Sequence, residues 1–132
     1  MFLDESGRDL VSERVSSASR IATSLITYVE ACAAFARLAR ERRVSATEYR
    51  RLVAQLDANW EGYWIVELTH PVVRRASDLA RRHALRAYDS VQLSSALELA
   101  GSAAEVEFVS FDKHLNVGAS RERLSVPGGP AR

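Results

Sequence analysis

Three carboxylates of this chain lie apart from other charges, each in or next to an apolar stretch. Glu30 is the only charged residue of IATSLITYVEACAAFA, and Asp89 is the only charged residue of AYDSVQLSSAL. Asp112 follows the apolar run FVSF. A carboxylate on an apolar surface is costly unless its charge is compensated, and a hard divalent cation with oxygen ligands would compensate all three. The sequence therefore indicates a shared acidic site.

Taken singly, each acid is explained equally well as a surface residue on a narrow polar stripe or as a helix cap, because buried carboxylates mark functional sites only statistically. Other kinds of catalytic site have less support. Ser90 and Ser94 lie near Asp89 but lack the paired base that activates a nucleophile. The histidines do not have the spacing of zinc ligands. An acidic metal site is thus the leading chemical hypothesis.

Length and composition limit the class of protein. With 132 residues the chain fits one domain with its own core, and its net charge of +1 does not indicate nucleic-acid binding. Nearly all basic residues are arginine, which suits phosphate recognition but is also what a GC-rich genome encodes. The single cysteine fits a reducing compartment. Without an apolar run of membrane-spanning length or a signal-peptide pattern, we expect a cytoplasmic protein.

Hydrophobic periodicity and capping signals predict helices that alternate with strands. The predicted helices span residues 7–18, 25–42, 45–60, 69–83 and 86–100. The predicted strands span residues 20–23, 63–68 and 106–111, with a last short strand near Leu124. Ser45 and Glu48 form a capping-box signature in SATE, and Pro71 occupies a tolerated first-turn position.

This alternation predicts an α/β fold, in which a parallel sheet has helices on both faces. Sites in such sheets form beyond the carboxyl ends of the strands. Asp112 follows a predicted strand, Asp89 lies in the first turn of its helix, and Glu30 lies in the second turn of a helix that follows a strand. We therefore expect the three carboxylates to gather at one edge. The domain is predicted to span residues 1–126, with a flexible tail at 127–132.

Three blocks of the sequence, in this order, carry a family resemblance. IATSLITYVEACAAFARL, LRAYDSVQLSSALEL and FVSFDKHLN closely resemble PIN-domain ribonucleases, especially the VapC-type toxins of bacterial toxin–antitoxin pairs. The resemblance extends from Gly7 to about Leu124 and implies a three-layer PIN-like fold. It also implies an auxiliary polar role for Asn116 and a set of catalytic, metal-binding carboxylates, namely Glu30, Asp89 and Asp112.

The function implied by the resemblance is a metal-dependent endoribonuclease that cleaves RNA phosphodiester bonds with Mg²⁺ or Mn²⁺. A cognate VapB-like antitoxin would neutralise it, and a homodimer is implied as well. Arg86 is a candidate phosphate contact, or an ordinary residue at a helix N-terminus. Arginines at positions 37, 40, 42, 43, 50 and 51 form either a rim for the RNA backbone or a solvated helix face.

The resemblance fails at the N-terminus. PIN domains open with a strand that carries a first essential Asp in an LDTSA-like turn. MFLDES mimics this turn and offers Asp4, but the interval from Asp4 to Glu30 is short for the family's first helix. We therefore expect the chain to lack the family's first strand and first Asp. This expectation leaves two alternatives to an active enzyme: a catalytically inactive PIN remnant that only binds proteins, and an unrelated α/β interaction domain.

Overall fold

The computed structural model of the protein describes residues 12–14, 17–102 and 105–128. This part of the chain contains two short strands and five helices. In chain order they are β1 (Ala22–Ser24), α1 (Ile26–Arg40), α2 (Ala46–Trp60), β2 (Trp64–Val66), α3 (His70–His83), α4 (Ala87–Gly101) and α5 (Lys113–Arg121). Residues 12–14 and 17 are also helical, within the first predicted helix, most of which lies outside the described residues.

Helices α1 to α4 confirm four predicted helices, and side-chain N-caps explain why the starts of α2 and α3 were predictable. The Ser45 hydroxyl accepts a hydrogen bond from the Glu48 N–H at 3.1 Å, and the Glu48 carboxylate accepts one from the Ser45 N–H at 2.8 Å. The Thr69 hydroxyl accepts a hydrogen bond from the Val72 N–H at the start of α3. These caps satisfy N–H groups that have no partner within the helix.

Strands β1 and β2 pair in parallel, with Ala22 opposite Trp64 and Ser24 opposite Val66. The parallel pairing confirms the predicted α/β class, and α1 and α2 form the crossover that such a pairing requires. Both strands are shorter than predicted. Helix α4 packs against both of them, so the first turn of α4 has a fixed position relative to the sheet.

The predicted strand over residues 106–111 is wrong as a regular strand. In the described part of the chain, this segment forms only a single parallel bridge, between Glu107 and Ser125, in which the Phe108 N–H donates to the Ser125 carbonyl at 2.7 Å. Phe108 is buried, whereas Val109 and Phe111 are exposed. An apolar, β-branched sequence fits an extended chain, but a regular strand also needs neighbours along its whole length.

The core lies between α3, α4, α5 and the bridged segment. Its buried residues are Leu79, Leu85, Leu93, Phe108, Leu115, Ala119 and Leu124. Small side chains let α4 approach α3 closely: Ser94 is fully buried, and its hydroxyl donates a 2.6 Å hydrogen bond to the Val72 carbonyl. A buried hydroxyl with such a partner avoids most of its desolvation cost. Helix α4 is therefore firmly held within the fold.

Several expectations concern residues outside the described ranges. Asp4 and the expected absence of a first strand fall there, as does most of the predicted tail, of which only Pro127 and Gly128 are described. The domain boundary after residue 126 thus stays a prediction. Among the described residues, no helix is long and apolar enough to cross a membrane.

Candidate active site

Glu30 occupies the second turn of α1, as predicted, and is partly buried. Its Oε2 atom accepts a 3.1 Å hydrogen bond from the Nε2 of Gln92, on α4. Gln92 also donates to the Thr27 hydroxyl, at 2.7 Å. Residues three apart on a helix share a face, so this contact places the Glu30 carboxylate beside the face of α4 that carries Asp89.

Asp89 lies in the first turn of α4, also as predicted. Burial raises the pKa of its carboxyl group above the usual value, and the nearby charge of Asp112 raises this pKa further. Arg86, and to a smaller extent His114, act in the opposite direction on this pKa. Asp89 and Asp112 are therefore close enough to interact electrostatically, although they belong to different elements of the fold.

Asp112 is the N-cap residue of α5, a helix that was not predicted, although a helix cap was one alternative for each acid. Its Oδ1 accepts a 2.9 Å hydrogen bond from the Leu115 N–H, and its own N–H donates to the Ser110 hydroxyl at 3.0 Å. An acid followed by apolar residues at the spacing of Leu115 and Ala119 is a helix-start signal that could have predicted α5. The cap uses Oδ1, and among the described residues no hydrogen bond to Oδ2 is found.

Asn116 lies four residues after Asp112, on the same face of α5. Its side-chain N–H donates to the Ser110 carbonyl at 3.0 Å, while its Oδ1 is buried and has no hydrogen-bond partner in the described part of the chain. A buried acceptor without a donor is costly. A water molecule or a hydrated cation nearby would satisfy it.

Two links connect the predicted carboxylates: Glu30 is hydrogen-bonded to Gln92, one turn after Asp89 on α4, and the charge of Asp112 acts on the pKa of Asp89. That all three form one site stays a prediction. Among the described residues, no group of three or more His, Cys, Asp or Glu side chains is close enough to form a ready-made metal cage. Magnesium commonly binds one or two carboxylates and keeps several waters, so it does not need such a cage. The repulsion between Asp89 and Asp112 and the unpaired Asn116 oxygen fit a hydrated divalent ion.

Ser90, His83 and His114 make structural contacts. Ser90 is buried, and its hydroxyl donates to the Ala87 carbonyl, one turn back in α4. The His83 Nε2 lies 2.6 Å from the Glu122 carboxylate, at the far end of α3. His114 contacts the Ala84 carbonyl. None of these groups forms the paired nucleophile and base that would indicate covalent catalysis.

The candidate arginine rim lies at the C-terminal end of α1, in the turn that follows it and in α2. All of its members are exposed: Arg37, Arg40, Arg42, Arg43, Arg50 and Arg51. Arg37 forms an ion pair with Glu41 at 2.9 Å. Exposure leaves these guanidinium groups accessible to a phosphate backbone, but it equally fits a solvated helix face.

Comparison with known proteins gives a consistent family assignment. The PIN domain family model matches residues 1–119. Ribonuclease VapC45 and Ribonuclease VapC49, from the CDC 1551 / Oshkosh and ATCC 25618 / H37Rv strains of Mycobacterium tuberculosis, are each 34% identical to the chain over 123 residues. Each alignment covers 90% of this chain and 81% of the relative. No solved structure matches the chain significantly.

Proposed function

The chain belongs to the PIN-domain family of VapC-type ribonucleases, and on this premise we propose that it is an endoribonuclease toxin that cleaves RNA phosphodiester bonds. The observation that carries the proposal is the 3.1 Å hydrogen bond that joins Glu30 to Gln92, one turn after Asp89 on α4, and the raised pKa of Asp89 beside Asp112 supports it. Because both relatives are ribonucleases by name, an enzyme is favoured over a binding-only PIN remnant or an unrelated interaction domain.

In this proposal Glu30, Asp89 and Asp112 hold Mg²⁺ or Mn²⁺. When bound, such an ion lowers the pKa of an attacking water and offsets the negative charge that develops on the phosphate. Asp112 contributes the carboxylate oxygen that does not cap α5. The buried Oδ1 of Asn116 accepts a hydrogen bond from a water molecule of the site and thereby orients it.

The substrate is RNA, bound mainly through its phosphates. Arg86 is the N-cap residue of α4 and lies near enough to lower the pKa of Asp89, so its guanidinium can contact the phosphate that is cut. The exposed arginines of the rim bind the flanking backbone. Arginine suits this role because its planar donors match phosphate oxygens in a bidentate manner.

An antitoxin of the VapB type is the proposed regulator, and a homodimer the proposed assembly in the cytoplasm. Neither α1 nor α2 contains a fully buried residue, although α1 is largely apolar. Val29, next to Glu30, is 54% exposed. An amphipathic segment that packs on α1 would bury such residues and would also cover the acidic site.

The test is a cleavage assay on single-stranded RNA with the purified full chain. Cleavage should stop when the metal is chelated with EDTA and return when excess Mg²⁺ or Mn²⁺ is added. Cleavage that continues unchanged in EDTA would rule out the metal-dependent mechanism. Co-expression with a VapB-like antitoxin should give a complex in which cleavage is suppressed. If a VapB-like protein neither bound nor inhibited the chain, that protein would be ruled out as the cognate antitoxin.

A further inference from the structure

Gln92 connects two helices at the acidic site. It is partly buried on α4, three residues after Asp89, and its side-chain amide makes two contacts with α1. Its Nε2 donates to the Thr27 hydroxyl at 2.7 Å and to the Glu30 Oε2 at 3.1 Å. A glutamine NH₂ group has two N–H donors, so one atom can make both contacts at once.

The orientation of this amide follows from its partners. If the amide were flipped, its carbonyl oxygen would face the Glu30 carboxylate, and two acceptors would repel each other. Thr27 is held in turn, because the Thr23 hydroxyl, in β1, donates to the Thr27 hydroxyl at 2.7 Å. The chain of hydrogen bonds therefore starts at the sheet, passes through α1 and Gln92, and ends on Glu30.

We propose that Gln92 is a positioning residue that holds the Glu30 carboxylate ready to bind the metal ion. This inference rests on the proposed function, in which Glu30 is a ligand. A glutamate side chain has three rotatable bonds, and fixing them before the ion arrives reduces the entropy lost on binding. The contact uses only Oε2, so Oε1 takes no part in it. Hydrogen bonds to ligating carboxylates commonly tune metal affinity in this way.

A purely structural role for Gln92 makes a different prediction. If its hydrogen bonds only join α1 to α4, replacing Gln92 lowers the stability of the fold, but the folded molecules bind metal as tightly as before. If Gln92 positions Glu30, the folded variant binds metal more weakly. The effect should then depend on the presence of the Glu30 carboxylate.

The experiment measures Mn²⁺ affinity of the full chain by isothermal titration, with circular dichroism to confirm folding. Gln92→Met keeps the side-chain length but removes both donors, and should weaken Mn²⁺ binding by roughly 10- to 100-fold. Gln92→His restores an N–H donor at the Nε2 position and should recover most of this loss. Gln55→Met, at an exposed position on α2, is the matched control and should bind as the unmodified chain does.

Two further measurements separate this inference from its premise. In a Glu30→Gln background, Gln92→Met should cause no additional loss of affinity, because the carboxylate that it positions is absent. Equal Mn²⁺ affinity of the Gln92→Met variant and the unmodified chain would overturn the inference alone. Equally weakened Mn²⁺ binding in the Gln92→Met and Gln92→His variants would also overturn it, since the N–H donor would then not account for the loss of affinity. Unchanged Mn²⁺ binding by Glu30→Gln would remove the premise that Glu30 is a ligand.

If Gln92→Met does not fold, Thr27→Val provides the second variant. It leaves Gln92 in place but removes the hydroxyl that anchors the amide. Its Mn²⁺ affinity should fall by less than about 10-fold, because the hydrogen bond between Gln92 and Glu30 remains. An affinity equal to that of the unmodified chain would contradict the proposed chain of hydrogen bonds.

Discussion

Asp89 lies in the first turn of α4 and Asp112 caps the start of α5, and the charge of Asp112 adds to the effect of burial in raising the pKa of Asp89. The two residues are 23 positions apart in the sequence, yet they interact because both helices start at the same part of the molecule. An ionised Asp89 is therefore unfavourable for the fold when no cation is bound. The same negative charge that would bind a metal ion therefore lowers the stability of the metal-free protein.

The first prediction is that Asp89→Asn stabilises the metal-free protein at neutral pH. Because the folded-state pKa of Asp89 is raised, the favourable contribution of this group is complete below its unfolded pKa and is lost as pH rises through the folded pKa. The neutral amide avoids this loss. Thermal melts in EDTA should show a higher Tm for the variant at pH 7, and the gain should fade at pH values below about 3.9, the ordinary pKa of Asp.

The control is Asp78→Asn, at an exposed acid on α3 that lies outside the site. Its Tm should follow that of the unmodified chain across the same pH range. A lower Tm for Asp89→Asn at pH 7 would contradict the assigned direction of the pKa shift.

The second prediction concerns the carboxylates as ligands. Glu30→Gln and Asp112→Asn should each lower the rate of RNA cleavage by about 100-fold or more, because each removes negative charge at the proposed ion. Asn is also a good N-cap residue, so Asp112→Asn should leave α5 formed. Initial rates at saturating Mg²⁺ measure the effect. Asp78→Asn should cleave normally, and normal cleavage by Glu30→Gln would remove Glu30 from the site.

The third prediction concerns Tyr28, which donates a 2.6 Å hydrogen bond to Asp57 and so joins α1 to α2. This hydrogen bond is the main reason that the pKa of Tyr28 is raised from 10.0 to about 12. Its stabilising contribution is complete below pH 10 and is lost as pH rises through the folded pKa of about 12. Ultraviolet titration of the tyrosines should detect one late transition, which Asp57→Asn moves towards the ordinary value.

If the unmodified chain and the Asp57→Asn variant gave the same tyrosine titration curve, this assignment would be contradicted. Glu61→Gln, at an exposed acid just beyond the end of α2, is a suitable comparison. It changes the charge by the same amount but leaves the hydrogen bond between Tyr28 and Asp57 intact.

The fourth prediction concerns the end of α3, where Ala84 adopts a left-handed conformation with φ of 52°. Glycine suits this position because it lacks the Cβ that makes the conformation unfavourable. Ala84→Gly should therefore raise the free energy of unfolding by roughly 0.5–1 kcal/mol, measured by urea denaturation. Ala39→Gly, within α1, should instead lower it by about as much. Destabilisation by Ala84→Gly would contradict the backbone conformation at this position.

The fifth prediction addresses the arginine rim. Replacing Arg40 and Arg43 with Gln should weaken RNA binding uniformly across sequences, because phosphate contacts do not read bases. The slope of log K against log salt should fall by about 0.7 for each lost contact to single-stranded RNA. Arg81→Gln, at an exposed position on α3, is the matched control. An unchanged slope in the double variant would assign these arginines to a solvated face.

Local sequence determined the helices and the place of two acids on them. Ser45 with Glu48, and Thr69 with Pro71, mark helix starts through contacts that span at most three residues, so they are readable without the fold. Helix periodicity is also local, so Glu30 and Asp89 were correctly placed in the second turn of α1 and the first turn of α4. The short α5 was missed, although Asp112 provides its N-cap.

Tertiary structure decided the strands and the contacts of the site. The segment over residues 106–111 has a strand-like sequence but forms one bridge in the described chain, because pairing depends on a neighbour rather than on propensity. Gln92 meets Glu30 across 62 residues, and nothing near either residue in the sequence indicates the partner. The reason is physical: local hydrogen bonds specify helix ends, whereas packing of α4 against the strands and against α1 determines which polar groups meet.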